Sequence, residues 1–137
     1  MALHHVNFHT ARNVPVFEHP DHDAMMRETI ATVALERRIL VPAWELMPTY
    51  VHLIVQDFPD LTRGAILQYL EGDTSRRFFH AYPHLREDLQ GGHLWARGYW
   101  ATCITSHRQF CATIAYVQAN RSSAGLTPSV PLDPYGT

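Results

Sequence analysis

The seven residues Tyr50-Val51-His52-Leu53-Ile54-Val55-Gln56 constrain the fold more than any other stretch of the chain. They are rich in β-branched and aromatic types and contain neither glycine nor proline, which suits a pleated surface. The run is apolar enough to be a central strand. Pro48-Thr49 turns the chain just before it. Residues i and i+2 of a strand share a face, so Tyr50 and His52 lie side by side and Val51 points into the opposite layer.

The remaining elements are read around this strand. His4 to Thr10 alternates, with Val6 and Phe8 on one face and His5, Asn7 and His9 on the other. Arg12 to Pro20 reads as a loop. Asp21 or Asp23 can cap a helix with the stripe Met26, Ile30, Val33 and Ala34. Ile39 to Met47 reads as a strand interrupted near Pro42, hence bulged or at an edge. Asp60 can cap a long helix to about His80. Gly72 inside it costs ~1 kcal/mol against alanine and marks a close approach or a kink.

Pro83 to Gly92 reads as a loop, with Gly91-Gly92 as a turn. Trp95 to Thr105 reads as a strand. Ser106 caps a last helix to about Asn120, with the stripe Phe110, Ile114 and Val117. The order βαββαβα predicts an α+β fold, a ferredoxin-like split βαβ antiparallel sheet with an additional C-terminal helix. Residues 1–121 form the domain. Residues 122–137, rich in proline and glycine, form an extended or disordered tail.

Length and composition set the class. A chain of 137 residues with 46% hydrophobic and 18% charged residues is one soluble domain with a real core. No apolar run approaches the ~20 residues of a membrane span, and no secretion signal is visible. Cys103 and Cys111 are too few for a disulfide framework. A cytoplasmic setting follows. The net charge of -2 does not advertise a nucleic-acid binder. All eleven basic residues are arginine, the better bidentate phosphate ligand, although genomic base composition explains that bias equally.

Three constellations carry chemistry. Tyr50 and His52 on one strand face make half of a metal site, or a packing pair with satisfied polar tips. Tyr116 and Asn120, four residues apart on a helix, are stacked neighbours at the margin of the buried stripe. That placement presents a phenol, and it also suits an amphipathic tyrosine with its hydroxyl in water. Arg76-Arg77 beside Phe78-Phe79 can hold phosphates and stack bases, or simply solvate a helix face.

Five blocks in order carry a resemblance. They are His5-Val6-Asn7-Phe8-His9-Thr10-Ala11-Arg12, Met47-Pro48-Thr49-Tyr50-Val51-His52-Leu53-Ile54-Val55, Gly72-Asp73-Thr74-Ser75-Arg76-Arg77, Gly91-Gly92-His93-Leu94-Trp95-Ala96-Arg97-Gly98-Tyr99 and Ala115-Tyr116-Val117-Gln118-Ala119-Asn120. Over about residues 4–120 the chain resembles the single-tyrosine HUH transposases of small bacterial insertion sequences, including the REP-associated tyrosine transposases.

The resemblance implies metal-dependent cleavage and rejoining of single-stranded DNA through a 5′-phosphotyrosine intermediate. It implies Mg²⁺ or Mn²⁺ as cofactor, single-stranded DNA hairpins as partners and a homodimer. Tyr116 matches the nucleophile and His52 the second metal histidine. Asn120 stands where the family has a glutamine ligand. Tyr50 stands where the family has its first histidine, Thr49 where it often has aspartate, and Glu71 where it commonly has lysine. Arg12, Arg76 and Arg77 are the DNA-binding candidates. A neutral phenol is a poor divalent-metal ligand, so metal binding is expected to be weak or lost. The alternatives are a catalytically impaired relative that binds structured single-stranded DNA, and a structural or interaction protein retaining only the fold.

Overall fold

The computed structural model describes residues 1–135. Its elements are β1 (Leu3–His9), α1 (Pro20–Glu36), β2 (Ala43–Met47), β3 (Tyr50–Gln56), α2 (Arg63–Ala81), α3 (Pro83–Asp88), β4 (Trp100–Ile104) and α4 (His107–Ser123). The strands form one sheet in the order β2-β3-β1-β4, with every pair antiparallel. This is the expected ferredoxin-like α+β arrangement, with α4 added on the free face.

Period-two alternation divides the sheet into two chemistries. Val6, Phe8, Val51, Leu53 and Val55 face α1 and α2 and join Met26, Ile30, Val33, Ile66, Leu67, Leu70 and Phe78 in the main core. The stripe read for the first helix is therefore the buried one. Ala43, Ile54, Ile104 and Val117 form a much smaller cluster under α4, with Phe110 and Ile114 packed beside it. Among the described residues of α4, only Val117 is buried. One buried aliphatic side chain contributes ~1.5–3 kcal/mol, so α4 is seated lightly compared with α1 and α2.

Several boundaries differ from the sequence reading. The first helix is capped by His19, whose ring accepts from the Asp21 amide, with Pro20 in the first turn. Asp21 and Asp23 lie inside that turn, where acidic side chains favour the helix dipole. The long helix is capped by Thr62, which accepts from the Ala65 amide, and not by Asp60. The segment 11–18 contains two short 3₁₀ turns, Ala11–Asn13 and Val16–Glu18.

The second strand begins only at Ala43, after Pro42, and β2 is an edge strand as expected. Pro83 to Gly92 is not a plain loop. Pro83 starts α3, because proline is favoured at the first helical position. The fourth strand begins at Trp100, since Gly98 takes φ 83° and breaks the extended run. Trp95 forms only an isolated bridge with Thr10. Gly72 marks neither a kink nor a close approach. It lies within continuous α2, and a Cβ there would meet nothing within 4 Å.

The C-terminal segment is extended and docked. Leu132 bridges Val41 through two backbone hydrogen bonds of 2.9 and 3.0 Å. The Trp44 indole donates to the Val130 carbonyl at 2.8 Å. The tail thus covers the start of the β2 edge. The last two residues of the expected tail, 136 and 137, lie outside the described residues.

Candidate active site

The site lies on the α4 face of the sheet, where β1 and β3 turn their polar side chains. Asn7 pairs with His52 and His9 with Tyr50 in the antiparallel register. His5, Asn7, His9, Tyr50 and His52 therefore form one polar field between the apolar cluster and the strand ends. α4 crosses this field and adds Tyr116 and Asn120.

The rings pack at close range. The Tyr50 and His52 centroids are 4.8 Å apart, and those of His52 and Tyr116 are 5.5 Å apart. His5 lies 5.5 Å from His52 and 6.0 Å from Tyr116. The Trp100 ring meets His5 nearly at right angles, 5.1 Å centre to centre. The Tyr50 hydroxyl lies 3.5 Å from Asn120 Oδ1. Tyr50, His52, Asn120 and Tyr116 thus lie side by side on this face.

Exposure separates the roles. Tyr116 is 56% exposed and open to a large ligand, whereas His52 is buried beside it. Burial, with help from His5 and His9, lowers the His52 pKa to about 4. His52 is therefore a neutral imidazole at neutral pH, the form that accepts protons or binds metal. Burial also lowers His5. The Tyr50 phenol is pushed above its usual range by burial and by Tyr116.

Donor chemistry decides which side chains suit a divalent cation. His52 offers an imidazole nitrogen and Asn120 an amide oxygen, and both types ligate divalent metals. Tyr50 is held neutral, which makes it a weaker ligand than an exposed phenol. Two buried polar atoms beside His52, His5 Nε2 and Asn7 Oδ1, have no hydrogen-bond partner. The field is thus under-satisfied on its β1 side. Among the described residues, no three of His, Cys, Asp or Glu gather in metal-binding geometry.

The arginines expected to hold DNA lie outside this field and are not equivalent. Arg76 is two-thirds exposed and lies 3.2 Å from Asp73. Arg77 is engaged by Glu36. Arg12 lies just past the end of β1 with φ 57°. It lines a cavity of about 600 Å³ with His93, Trp95 and Arg97. Arg76 lines an adjoining groove with Glu71, Arg86, His93 and Arg97. Arg12 and Arg76 therefore open onto one basic track through the shared His93 and Arg97, while Arg77 faces another cavity with Met25, Thr29 and His80, which Arg76 also borders.

Sequence reasoning singles out neither Arg86 nor Arg97. Arg97 lies in one of the five blocks, and its proximity to Arg12 depends on the Ala96–His9 and Ala11–Leu94 backbone bonds. Strand parity puts His5 and Asn7 on the correct face but not in the site. Only the β1–β3 register brings them to His52.

Comparison with known proteins supplies the family. The model of the family described as "Transposase IS200 like" matches residues 1–120. The ISDra2 transposase TnpA of Deinococcus radiodurans is 34% identical over 82 residues, covering 60% of this chain and 59% of that protein. The match thus spans less than two thirds of that relative. A crystal structure of a transposase from Deinococcus radiodurans R1 superposes with a TM-score of 0.66 at 26% identity, covering 85% of this chain and 88% of that one. A REP-associated tyrosine transposase bound to a REP hairpin gives 0.67 at 18% identity, covering 90% and 68%, a likeness of fold. The family match ends at Asn120, so it takes in the whole polar field and both α4 side chains, and the chain belongs to the IS200-like transposase family.

Proposed function

We propose that this transposase cleaves and rejoins single-stranded DNA, with Tyr116 as the nucleophile. The observation that carries the reading is the exposed Tyr116 phenol held 5.5 Å, ring to ring, from neutral His52. The Tyr116 oxygen attacks the scissile phosphorus and the bond to the 3′ oxygen breaks. The products are a 5′-phosphotyrosine and a free 3′-hydroxyl. The phenolic proton leaves to solvent, which reaches Tyr116, and the departing oxygen takes a proton from water. The covalent link preserves the phosphodiester energy for rejoining.

His52 and Asn120 are the side chains that would hold Mg²⁺ or Mn²⁺. When bound, the cation supplies Lewis-acid polarisation of the phosphate. Asn120 lies one helical turn from Tyr116, so α4 positions the nucleophile and a candidate ligand together. The basic track of Arg12, Arg76, Arg86 and Arg97 is the proposed seat for phosphates. A neighbour of the same fold is bound to a REP hairpin, which makes a structured single-stranded hairpin the partner to test.

A homodimer is part of the proposal. Among the described residues, β4 is the uncovered edge of the sheet, and Trp100 on it is 53% exposed. An open edge with an exposed aromatic is a template for strand pairing, whereas the tail covers the start of the other edge.

The test is incubation of the full chain with single-stranded hairpin DNA and Mn²⁺. The expected result is a protein–DNA adduct stable to denaturant, lost in Tyr116→Phe. An adduct that persists in Tyr116→Phe and disappears in Tyr50→Phe assigns the nucleophile to Tyr50. A second reading is favoured by one observation, the neutral Tyr50 phenol at the first ligand position. On that reading the protein binds hairpins without cutting, and the assay gives a complex but no adduct.

A further inference from the structure

We infer that His5 supplies the nitrogen donor that Tyr50 does not: His5 and His52, on adjacent strands, form a two-imidazole seat for a divalent transition-metal cation beside Tyr116. The inference rests on the strand-transfer reading for what the cation does, but not for whether it binds.

Geometry comes first. Asn7 is the register partner of His52, and His5 lies two residues along β1 on the same face. The His5 and His52 ring centres are 5.5 Å apart with planes tilted by 32°. Two imidazoles sharing one ion through nitrogens at ~2.1 Å place their ring centres roughly 5 Å apart. The observed spacing is close to that of a ligand pair and needs little movement to close. Trp100 packs against His5 with the two ring planes nearly perpendicular.

The second observation is the state of the hydrogen bonds. His5 Nε2 is buried without a partner, and so is Asn7 Oδ1. Buried polar atoms left bare are uncommon and unfavourable. The Asn7 side-chain nitrogen lies 3.2 Å from His52 Nδ1. Turning that amide over, an interchange of oxygen and nitrogen in place, makes Asn7 Oδ1 the acceptor for an Nδ1–H of His52. This rotation gives the oxygen a partner, moves the unpartnered position to the Asn7 amide nitrogen, and leaves His52 Nε2 bare. A ligating histidine whose other ring nitrogen is hydrogen-bonded is the usual arrangement in metal sites. One ion would then satisfy His5 Nε2 as well.

Donor type selects the ion. Two imidazoles favour Mn²⁺, Co²⁺ or Zn²⁺ over Mg²⁺. A pair of protein nitrogens leaves coordination positions open for amide oxygen, water and phosphate, as a catalytic site requires. Tyr50 then has a packing role, its ring against His52 and its hydroxyl near Asn120.

The experiment is a Co²⁺ titration of the full chain without DNA, followed by visible d–d absorption with Mn²⁺ as competitor. Native protein should develop the spectrum. His5→Asn and His52→Asn should each weaken binding at least tenfold, and Tyr50→Phe should leave it unchanged. Native-like binding in His5→Asn, or no spectrum from the native protein at millimolar Co²⁺, overturns the inference. Should His5→Asn fail to fold, Mn²⁺ broadening of histidine ring resonances in the native protein decides the matter. Selective broadening of His5 and His52 supports the seat, and broadening of the stacked His19–His22 pair alone overturns it. A normal Co²⁺ spectrum with no DNA adduct counts against strand transfer and not against the seat. An adduct with no Co²⁺ site does the reverse.

Discussion

The carboxylate of Glu45 lies 3.8 Å from Nε of Arg121, the α4 residue that follows Asn120. Glu45 is fully buried and pairs with His52 in the β2–β3 register. Its oxygens accept from the Ser129 amide at 2.6 Å and the Ser129 hydroxyl at 3.2 Å. Arg27 approaches at 3.8 Å and donates to the Leu46 carbonyl and to Ser129 Oγ. Arg121 also donates to the Thr127 carbonyl. One carboxylate thus ties α1, α4 and the tail to the edge strand. Since α4 has little apolar seat, this network is what holds the helix bearing Tyr116 in place.

Burial raises the Glu45 pKa against the pull of Ser129 and both arginines, so Glu45→Gln loses the ion pairing but also sheds a desolvation cost. It should destabilise the fold by about 1 kcal/mol, the scale of one hydrogen bond. Urea denaturation measures the loss. Amide exchange should show it concentrated in α4 and the tail. A loss under about 0.5 kcal/mol, the level of a surface substitution, would mean the network is not the fastening.

Glu71 gives a pH dependence of definite sign. Burial raises its pKa from the ordinary 4.5 to about 7, and its Oε1 is buried without a partner. Between these values the folded chain holds a proton that the unfolded chain has released, so stability falls as pH rises. Glu71→Gln removes the penalty. The variant should match the native protein near pH 4 and exceed it by about 1 kcal/mol at pH 8, after discounting for partial solvent contact. Thermal melts at the two pH values check this, and a constant difference between them would refute it.

Part of this is legible in the sequence because the signals are local. The seven-residue β3, the Ser106 cap and the α1 stripe are contiguous patterns, and each matches an element of the fold. Strand parity and the four-residue helical step suffice to group Tyr50 with His52 and Tyr116 with Asn120. What stays hidden depends on register and on competing local geometry. His5 and Asn7 enter the site only through β1–β3 pairing. Arg97 meets Arg12 only through the strand-end bonds. The long strand expected from Trp95 is cut by a positive φ at Gly98, which aromatic and β-branched content nearby does not reveal. Thr62 and Asp60 are both acceptable caps by type, and chain geometry chose Thr62.

The proposed basic track predicts unequal arginines. Removing one arginine–phosphate pair should reduce the magnitude of the salt slope of hairpin binding by about 0.7–0.9. Arg12→Ala combined with Arg97→Ala, which line the track and not the Arg77 cavity, should flatten the slope by roughly 1.5. Arg77→Ala should leave it nearly unchanged, because Glu36 already engages that guanidinium. Anisotropy titrations at several salt concentrations distinguish these outcomes. An Arg77→Ala effect as large as that of the double variant would move the DNA from the Arg12–Arg97 track to the Arg77 cavity.

The open β4 edge gives the last prediction. Thr102 pairs with His5 and Trp100 with Asn7 on the inner side of β4, and its outer side has no strand neighbour among the described residues. Lysine on an edge strand opposes pairing, through a charge that an approaching strand must desolvate. Trp100→Lys should therefore shift the proposed dimer toward monomer by at least tenfold in dissociation constant, read by sedimentation at micromolar concentration. Trp100 also packs on His5, so the same change would loosen the candidate metal seat and confuse the two effects. Cys103→Lys separates them. Cys103 is exposed on the same strand, pairs with His4 and points to the other face, away from the polar field. Dissociation in both variants, with Co²⁺ binding intact only in Cys103→Lys, assigns β4 to the interface and Trp100 additionally to the seat. A native protein that sediments as a monomer at every concentration would remove the dimer from the proposal.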